Sequence, residues 1–472
     1  MMGSRKRLRQ AVVFVHGMGE QRPLETLNNF IGATIPGPAS GDNQKTGNPV
    51  YYSRPDPDSD SFETRFYLAR KTDRYPQTDF YEYHWAHMMQ GNKLTDLWET
   101  FRRILVQPVW KVPSGLRVVW VLFWVIIIGA AWYIWQNSAI IEDRSVPGVI
   151  AFLTGGGALG AALTWLATKA IPGKVTASFV DVVRYLDTSP RSYAVRKNIR
   201  KGMVDFLDEL HDKQLGNERR YQRIIVVAHS LGAYVAYDGI TYLWTRMNQT
   251  NGGAGAPPVD RTVLTDLEAE AQKLLDNPDG DPTRYRELQR ELWKQYTAHG
   301  NPWLITDFVT AGTPMYMAEQ LMTKNRAAFD DKVHRREYAV CPPEHDKPGN
   351  NPTKTLYSYE YSPTGADSDK GTVLYHGAPF AIVRWSNMWF PARLEFFGDW
   401  FGGPLRPLFG GGIKDVALNG NGWKRFLPAW AHTLYFGFPE DETAGSATKV
   451  LQDMMELDCR EWLPDEEQDP DT

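Results

Sequence analysis

One stretch, "RIIVVAHSLGAYVAYDGI" from Arg223 to Ile240, carries the residue types that chemistry needs. Four apolar residues, Ile224 to Val227, run into Ala228-His229-Ser230-Leu231-Gly232, and an apolar helical pattern follows. A serine hydroxyl is a weak nucleophile. It needs a base to take its proton, an acid to orient that base, and donors for the oxyanion that forms. A serine at a sharp strand-to-helix turn, as in the G-x-S-x-G elbow, is held out at the carboxyl end of a sheet. Small residues flank such a turn because strand and helix approach closely. Ala228 here takes the first glycine's place, adding one methyl, and Gly232 takes the second. The plain alternative is a turn serine with no chemistry.

Several residues compete for the partner roles. The histidines are His432 in "AHTLYF", His376 in "LYHGAPF", His334 and His345; the carboxylates are Asp399 in "DWFGGPL", Asp415 in "GIKDVAL" and Asp307 in "WLITDFVT". Asp307 lies within an expected strand. His16 and His229 flank the motifs and are expected to support the turns. His84 and His87 share "HWAH" without a third ligand nearby, so no metal site is expected. "TGGGALG" at 154–160 lies in an apolar stretch and lacks a P-loop lysine. No cofactor is called for.

The elements that must hold these residues come next. The 472 residues allow a large core, and a net charge of -4 without a long basic run argues against a nucleic-acid partner. Cys341 and Cys459 lie too far apart for a disulfide framework or a metal motif, which suits a reducing compartment. The N-terminal "MMGSRKRLRQAVVFVHG" is basic and lacks the apolar stretch of a secretion signal.

Strands are expected at Ala11 to Val15, Phe62 to Leu68, Phe80 to Trp85, Ile224 to Val227, Trp303 to Thr310 and Ile382 to Trp385. Helices are expected at Leu94 to Leu105, Ala177 to Leu186, Val195 to Leu210 and after Ser230. Tyr338 to Tyr361 reads as irregular, and the acidic tail "LPDEEQDPDT" as frayed. Strands alternating with helices predict an α/β class, with a mostly parallel sheet covered on both faces.

Two apolar stretches interrupt this series. Val118 to Trp135 is uncharged over 18 residues, and Val146 to Thr168 over 23, while a spanning helix needs about 20. The short polar turn "QNSAIIEDRS" between them predicts an antiparallel membrane hairpin. Arg102, Arg103, Lys111 and Arg117 before it, and Lys169 and Lys174 after it, put both chain ends in the cytoplasm. Trp120, Trp132 and Trp135 suit an interfacial belt, and Gly156 and Gly160 allow close helix packing. The organisation expected is residues 1–98 with 175–472 as the catalytic domain and 99–174 as a membrane insertion. Residues 259–298 form a charged helical pair: a lid, a solvated decoration or an oligomer contact.

Several motifs together resemble the α/β-hydrolase superfamily in its lipase/esterase branch. "VVFVHGMGEQ" resembles the strand and His-Gly turn of the oxyanion hole, "VVAHSLGA" the elbow, and "FVTAGTP" the strand and turn that follow. "DWFGGPL" resembles the acid turn and "AHTLYF" the histidine loop, in the chain order Ser, Asp, His. The resemblance implies Ser230 as nucleophile, His432 as general base and Asp399 as acid, with Asp415 the second choice. It also implies oxyanion donors at the backbone N–H of Leu231 and of Met18. The implied activity is hydrolysis of lipid or other acyl esters, with a lipid bilayer and an acyl ester as partners. A thioesterase or protein deacylase on the same triad, or a non-catalytic membrane scaffold, are the alternatives.

Overall fold

The computed structural model describes residues 9–17, 24–35, 51–56, 65–69, 76–89, 108–112, 182, 184–186, 190–251, 261–298, 301–344, 357–361, 371–392, 398–419, 426, 428–436, 446–459 and 462. It also describes ten positions between 117 and 136.

An eight-stranded sheet forms the centre. Its strands are β1 (Arg9–Val15), β2 (Tyr51–Pro55), β3 (Arg65–Ala69), β4 (Gln77–Tyr83), β7 (Arg223–His229), β8 (Ile305–Ala311), β11 (Arg384–Trp389) and β12 (Lys414–Ala417). The order across the sheet is β12-β11-β8-β7-β1-β4-β3-β2. All neighbours from β12 to β4 run parallel, and β3 and β2 add an antiparallel edge. Two small ribbons pair β5 (Gln214–Leu215) with β6 (Glu218–Arg219), and β9 (Ser358–Tyr361) with β10 (Gly371–Leu374).

The expected α/β class is thus found. The reason is visible in β1 and β7. Their side chains alternate, so Ala11, Val13, Val15, Ile224, Val226 and Ala228 pack on one face and Val12, Phe14, Ile225 and Val227 on the other. A strand buried on both faces reads as a continuous apolar run. The first face is covered by α2 (Pro190–Asp212), α3 (Gly232–Asn251), α4 (Arg261–Asp276) and α5 (Thr283–Ala298). The second is covered by α1 (Glu25–Thr34) and α7 (Ala447–Met455). A further helix, α6 (Arg326–His334), starts at Asn325, whose side chain accepts from the Ala328 N–H.

Boundaries differ from the sequence reading where tertiary pairing extends or trims a pattern. The last long strand starts two residues later than expected, because Pro379–Ala381 winds into a tight turn first. β12 is too short, at four residues, to leave a period of its own. α4 and α5 fall within the segment 259–298. Leu264, Leu267, Ala271, Leu288 and Leu292 belong to the main core, and Arg286 donates to the Trp385 carbonyl at 2.7 Å. This pair is therefore a covering layer of the sheet.

The strands on either side of segment 99–174 share one sheet, with β1 between β4 and β7. The expected helix 94–105, the expected span 146–168 and the tail 463–472 lie outside the described residues. In the first span, all described positions from 117 to 136 are helical. Among the described residues no helix is long and apolar enough to cross a membrane.

Candidate active site

Ser230 follows β7 directly and precedes α3, and its φ of 55° lies in the left-handed region. A non-glycine residue there carries about 1–3 kcal/mol of strain and persists only where its surroundings dictate it. Two anchors do so. The Ser230 N–H donates to the Ala311 carbonyl at 3.0 Å, and the Ser230 carbonyl accepts from the Ala233 N–H at 3.1 Å.

Close approach also restricts the neighbours. A Cβ on Gly232 would lie 2.4 Å from the Val15 carbonyl oxygen, and one on Gly17 would lie 2.8 Å from the Ser230 Cβ. Glycine at 232 therefore lets α3 start against the end of β1. Ala228, in the motif's other small position, sits in the core with its methyl accommodated.

His432 follows the one-turn helix Pro428–Ala431. Its Nε2 is 2.9 Å from the Ser230 Oγ, and its Nδ1 is 3.1 Å from each oxygen of Asp399. A carboxylate facing Nδ1 keeps the proton there and leaves the Nε2 lone pair to accept from the serine hydroxyl. The His432 side chain is 13 % exposed and Ser230 only 2 %. The Ser230 hydroxyl is thus sheltered, while the imidazole borders solvent.

Asp399 is fully buried. It accepts from the Phe401 N–H at 2.8 Å and from the Tyr435 hydroxyl at 2.7 Å, besides facing His432. Tyr435 in turn accepts from the Phe390 N–H at 3.1 Å. Gly312, with φ of 56° in the "AGTP" turn, gives this cluster room: a Cβ there would lie 2.4 Å from the Tyr435 ring and 2.9 Å from Asp399. Tyr435 was not singled out in the sequence. Its only signal is its place in "AHTLYF", and no spacing rule points to it.

The competing carboxylates lie elsewhere. Asp415 accepts from the N–H groups of Leu405 and Arg406 at 2.6 and 3.0 Å and from the Asn387 amide at 2.6 Å. It caps the short helix Arg406–Phe409, and burial pushes its carboxyl up to about 6 against those donors. Asp307 pairs with Arg223 and Arg384, each at 2.7 Å, beside the first residues of β7 and β11. Burial alone would raise Asp307, but the two guanidinium groups outweigh it and hold it low. That cluster is at the strand ends opposite Ser230, and its Arg384 also bonds Glu456.

His334 faces Glu344 at an exposed position, His376 touches Tyr375, and His345 lies outside the described residues. His16 is buried and lowered to about 4 by that burial; its carbonyl accepts from the Trp85 indole at 3.1 Å. His229 is likewise buried and lowered to about 3, and its Nε2 lies 2.9 Å from the His432 carbonyl. His84 and His87 face each other at 3.3 Å between Nδ1 atoms. Among the described residues no group of three or more His, Cys, Asp or Glu is arranged to hold a metal.

Of the expected oxyanion donors, Met18 lies outside the described residues. Leu231 is at the start of α3, and no acceptor among the described residues takes its N–H. The arrangement can activate a serine: a sheltered hydroxyl, a base in hydrogen-bond reach, a buried orienting carboxylate and a neighbouring amide with no acceptor among the described residues.

Compared with protein families, with curated proteins and with solved structures, the chain matches none.

Proposed function

We propose that the chain is a membrane-associated serine hydrolase of the α/β-hydrolase superfamily, cleaving lipid or other acyl esters. The observation that carries this reading is the line Ser230–His432–Asp399, at 2.9 and 3.1 Å. The left-handed Ser230 between a parallel strand and a helix, and the chain order Ser, Asp, His, support the superfamily assignment.

In this mechanism the Ser230 Oγ bonds to the acyl carbon as its proton passes to the His432 Nε2. The carbonyl π pair moves onto oxygen, where the Leu231 N–H, and by position the Met18 N–H, stabilise the charge. Collapse breaks the ester bond, and the leaving alkoxide takes the proton from His432. Water then gives its proton to His432 and attacks the acyl-enzyme. Release of the carboxylic acid returns the proton to Ser230. Asp399 orients the imidazole and stabilises its charged form throughout.

Membrane association rests on the sequence of the two apolar stretches and on exposed apolar side chains in the first. Among the described residues there, Val121, Val125, Ile128, Trp132 and Trp135 are exposed. Large apolar side chains exposed together fit a lipid environment better than water.

The test is labelling with a fluorophosphonate probe in the presence of lipid. Wild type should label. Ser230→Ala and His432→Ala should not, Asp399→Asn should label slowly, and Asp415→Asn at the wild-type rate. A folded wild type that does not label would sink the triad reading and favour a non-catalytic scaffold. Labelling followed by turnover of thioesters but not oxygen esters would move the substrate class to thioester or protein-acyl cleavage.

A further inference from the structure

His229 is a buried histidine beside the triad to which the mechanism gives no proton to carry. It ends β7 and is the residue immediately before Ser230. Burial, with His432 adding to the effect, makes its imidazole hard to protonate. A neutral imidazole has one N–H and one lone pair. The His432 carbonyl oxygen can only accept, so the 2.9 Å contact requires the His229 proton on Nε2.

The other nitrogen faces the His16-Gly17 turn. A Cβ on Gly17 would lie 2.9 Å from the His229 Nδ1, so the His16-Gly17 turn passes directly against it. The ring also lies 4.8 Å from the His432 ring and 5.6 Å from those of Tyr435 and Phe436, centre to centre. His229 therefore touches the turn before the expected oxyanion donor, the nucleophile's own backbone and the main chain of the base.

We propose that His229 is a positioning residue of this site, fixing the His432 main chain through its Nε2–H and thereby setting the approach of the His432 imidazole to Ser230. The inference rests on the hydrolase reading above. Its geometric reason is simple. The Asp399 carboxylate fixes the far edge of the His432 imidazole, but the side chain swings about its own Cα. A hydrogen bond to the carbonyl of that same residue, across 203 residues of chain, holds the pivot. Tyr435 fixes the following turn by its bonds to Asp399 and Phe390. The segment 432–435 is thus held at both ends.

The experiment combines three variants with one spectroscopic readout. His229→Phe keeps an aromatic ring without the donor, His229→Leu removes both, and His229→Gln offers an amide N–H near the place of Nε2. On an ester that wild type hydrolyses, His229→Phe should lose about 10–100-fold in kcat with KM nearly unchanged, because displacement of a catalytic group by about 1 Å costs on that order. His229→Gln should regain most of the loss. Wild-type kcat in a folded His229→Phe or His229→Leu variant, or a Gln variant no better than Phe, overturns the proposal.

Nitrogen-15 histidine spectra of the wild type need neither activity nor a variant. His229 should be neutral and protonated on Nε2 from pH 5 to 8, and the His432 Nδ1–H should appear as a far-downfield proton. The opposite His229 tautomer overturns the proposal even if every variant misfolds. If the wild type neither labels nor hydrolyses any ester, the hydrolase reading fails. Loss of the downfield proton in His229→Phe would then still establish that His229 holds His432, and its retention would refute it.

Discussion

The Tyr435 hydroxyl donates to the same Asp399 oxygen that faces the His432 imidazole, at 2.7 and 3.1 Å respectively. The Asp399 carboxylate of the proposed triad is thus itself oriented, by a tyrosine three residues beyond His432. Tyr435→Phe removes one hydrogen bond to a charged group, worth about 1.5–3 kcal/mol. It also leaves the Phe390 N–H without its acceptor. The expected result is a fall in kcat on the order of 10-fold, with a lower melting temperature. Ester hydrolysis and thermal melts on the same preparation check it. An unchanged kcat would mean that the Phe401 N–H alone holds the carboxylate.

Two glycines near Ser230 should respond differently to alanine. At Gly232 the added methyl meets the backbone of Val15 and His16 at 2.4–2.5 Å, which cannot move without shifting β1. At Gly17 it meets the Ser230 Cβ and the His229 ring at 2.8 and 2.9 Å. Gly232→Ala should fail to give a stable fold. Gly17→Ala should cost about 1–3 kcal/mol of stability, as overpacking does, and lose probe labelling out of proportion to its stability. Far-ultraviolet circular dichroism and labelling rates together distinguish the two outcomes.

Asp307 separates stability from chemistry. It sits between Arg223 and Arg384, fully buried and far along the strands from Ser230. Breaking such a pair by removing one partner costs about 3–5 kcal/mol because a buried charge is left uncompensated. Asp307→Asn should therefore lower the denaturation midpoint strongly, while the folded fraction labels at the wild-type rate. A folded Asp307→Asn protein with a dead serine would make Asp307 part of the site.

Glu82 predicts a pH dependence of stability. Its Oε2 accepts from the Leu24 N–H, its Oε1 is buried without a partner among the described residues, and burial raises its pKa from 4.5 to about 7. The folded state therefore keeps this proton up to about pH 7, whereas the unfolded chain releases it near 4.5. Because the folded state binds more protons in that window, this group's contribution to stability falls as pH rises from 4.5 to 7 and is level above it. Glu82→Gln keeps an acceptor for Leu24 and removes the titration. Its melting temperature relative to wild type should rise across that window and stay a few degrees higher at pH 8. A constant difference from pH 4 to 8 would refute the assignment.

The membrane hairpin is tested from outside the hydrolase site. If residues 118–135 and 146–168 cross the bilayer as a pair, the turn between them faces away from the cytoplasm. A cysteine at Ser138→Cys should then react with a membrane-impermeant maleimide from the non-cytoplasmic side of intact cells, and Cys459 should react only after permeabilisation. Reaction of neither without detergent would favour a hairpin lying on one leaflet.

The proposed nucleophile was legible in the sequence because everything that marks it is local. A continuous apolar run, a small-residue turn and a helical pattern meet within Arg223 to Ile240, and strand period, close approach and helix period act over a few residues. The same holds for the α/β class, since strands buried on both faces must read as unbroken apolar runs.

The carboxylate that faces His432 was not legible in this way. Asp399 and Asp415 both adjoin glycine-rich sequence before His432, and apart from the resemblance of "DWFGGPL" to an acid turn no spacing rule ranks them. The tertiary structure decides, because pairing of β11 with β12 turns Asp415 to the amides of Leu405 and Arg406. Asp399 instead reaches across the "AGTP" turn to Tyr435 and His432. The supporting roles of Tyr435 and His229 were hidden for the same reason. Each is a hydrogen bond between segments that meet only when the sheet is assembled, and one-dimensional spacing holds no record of which segments those will be.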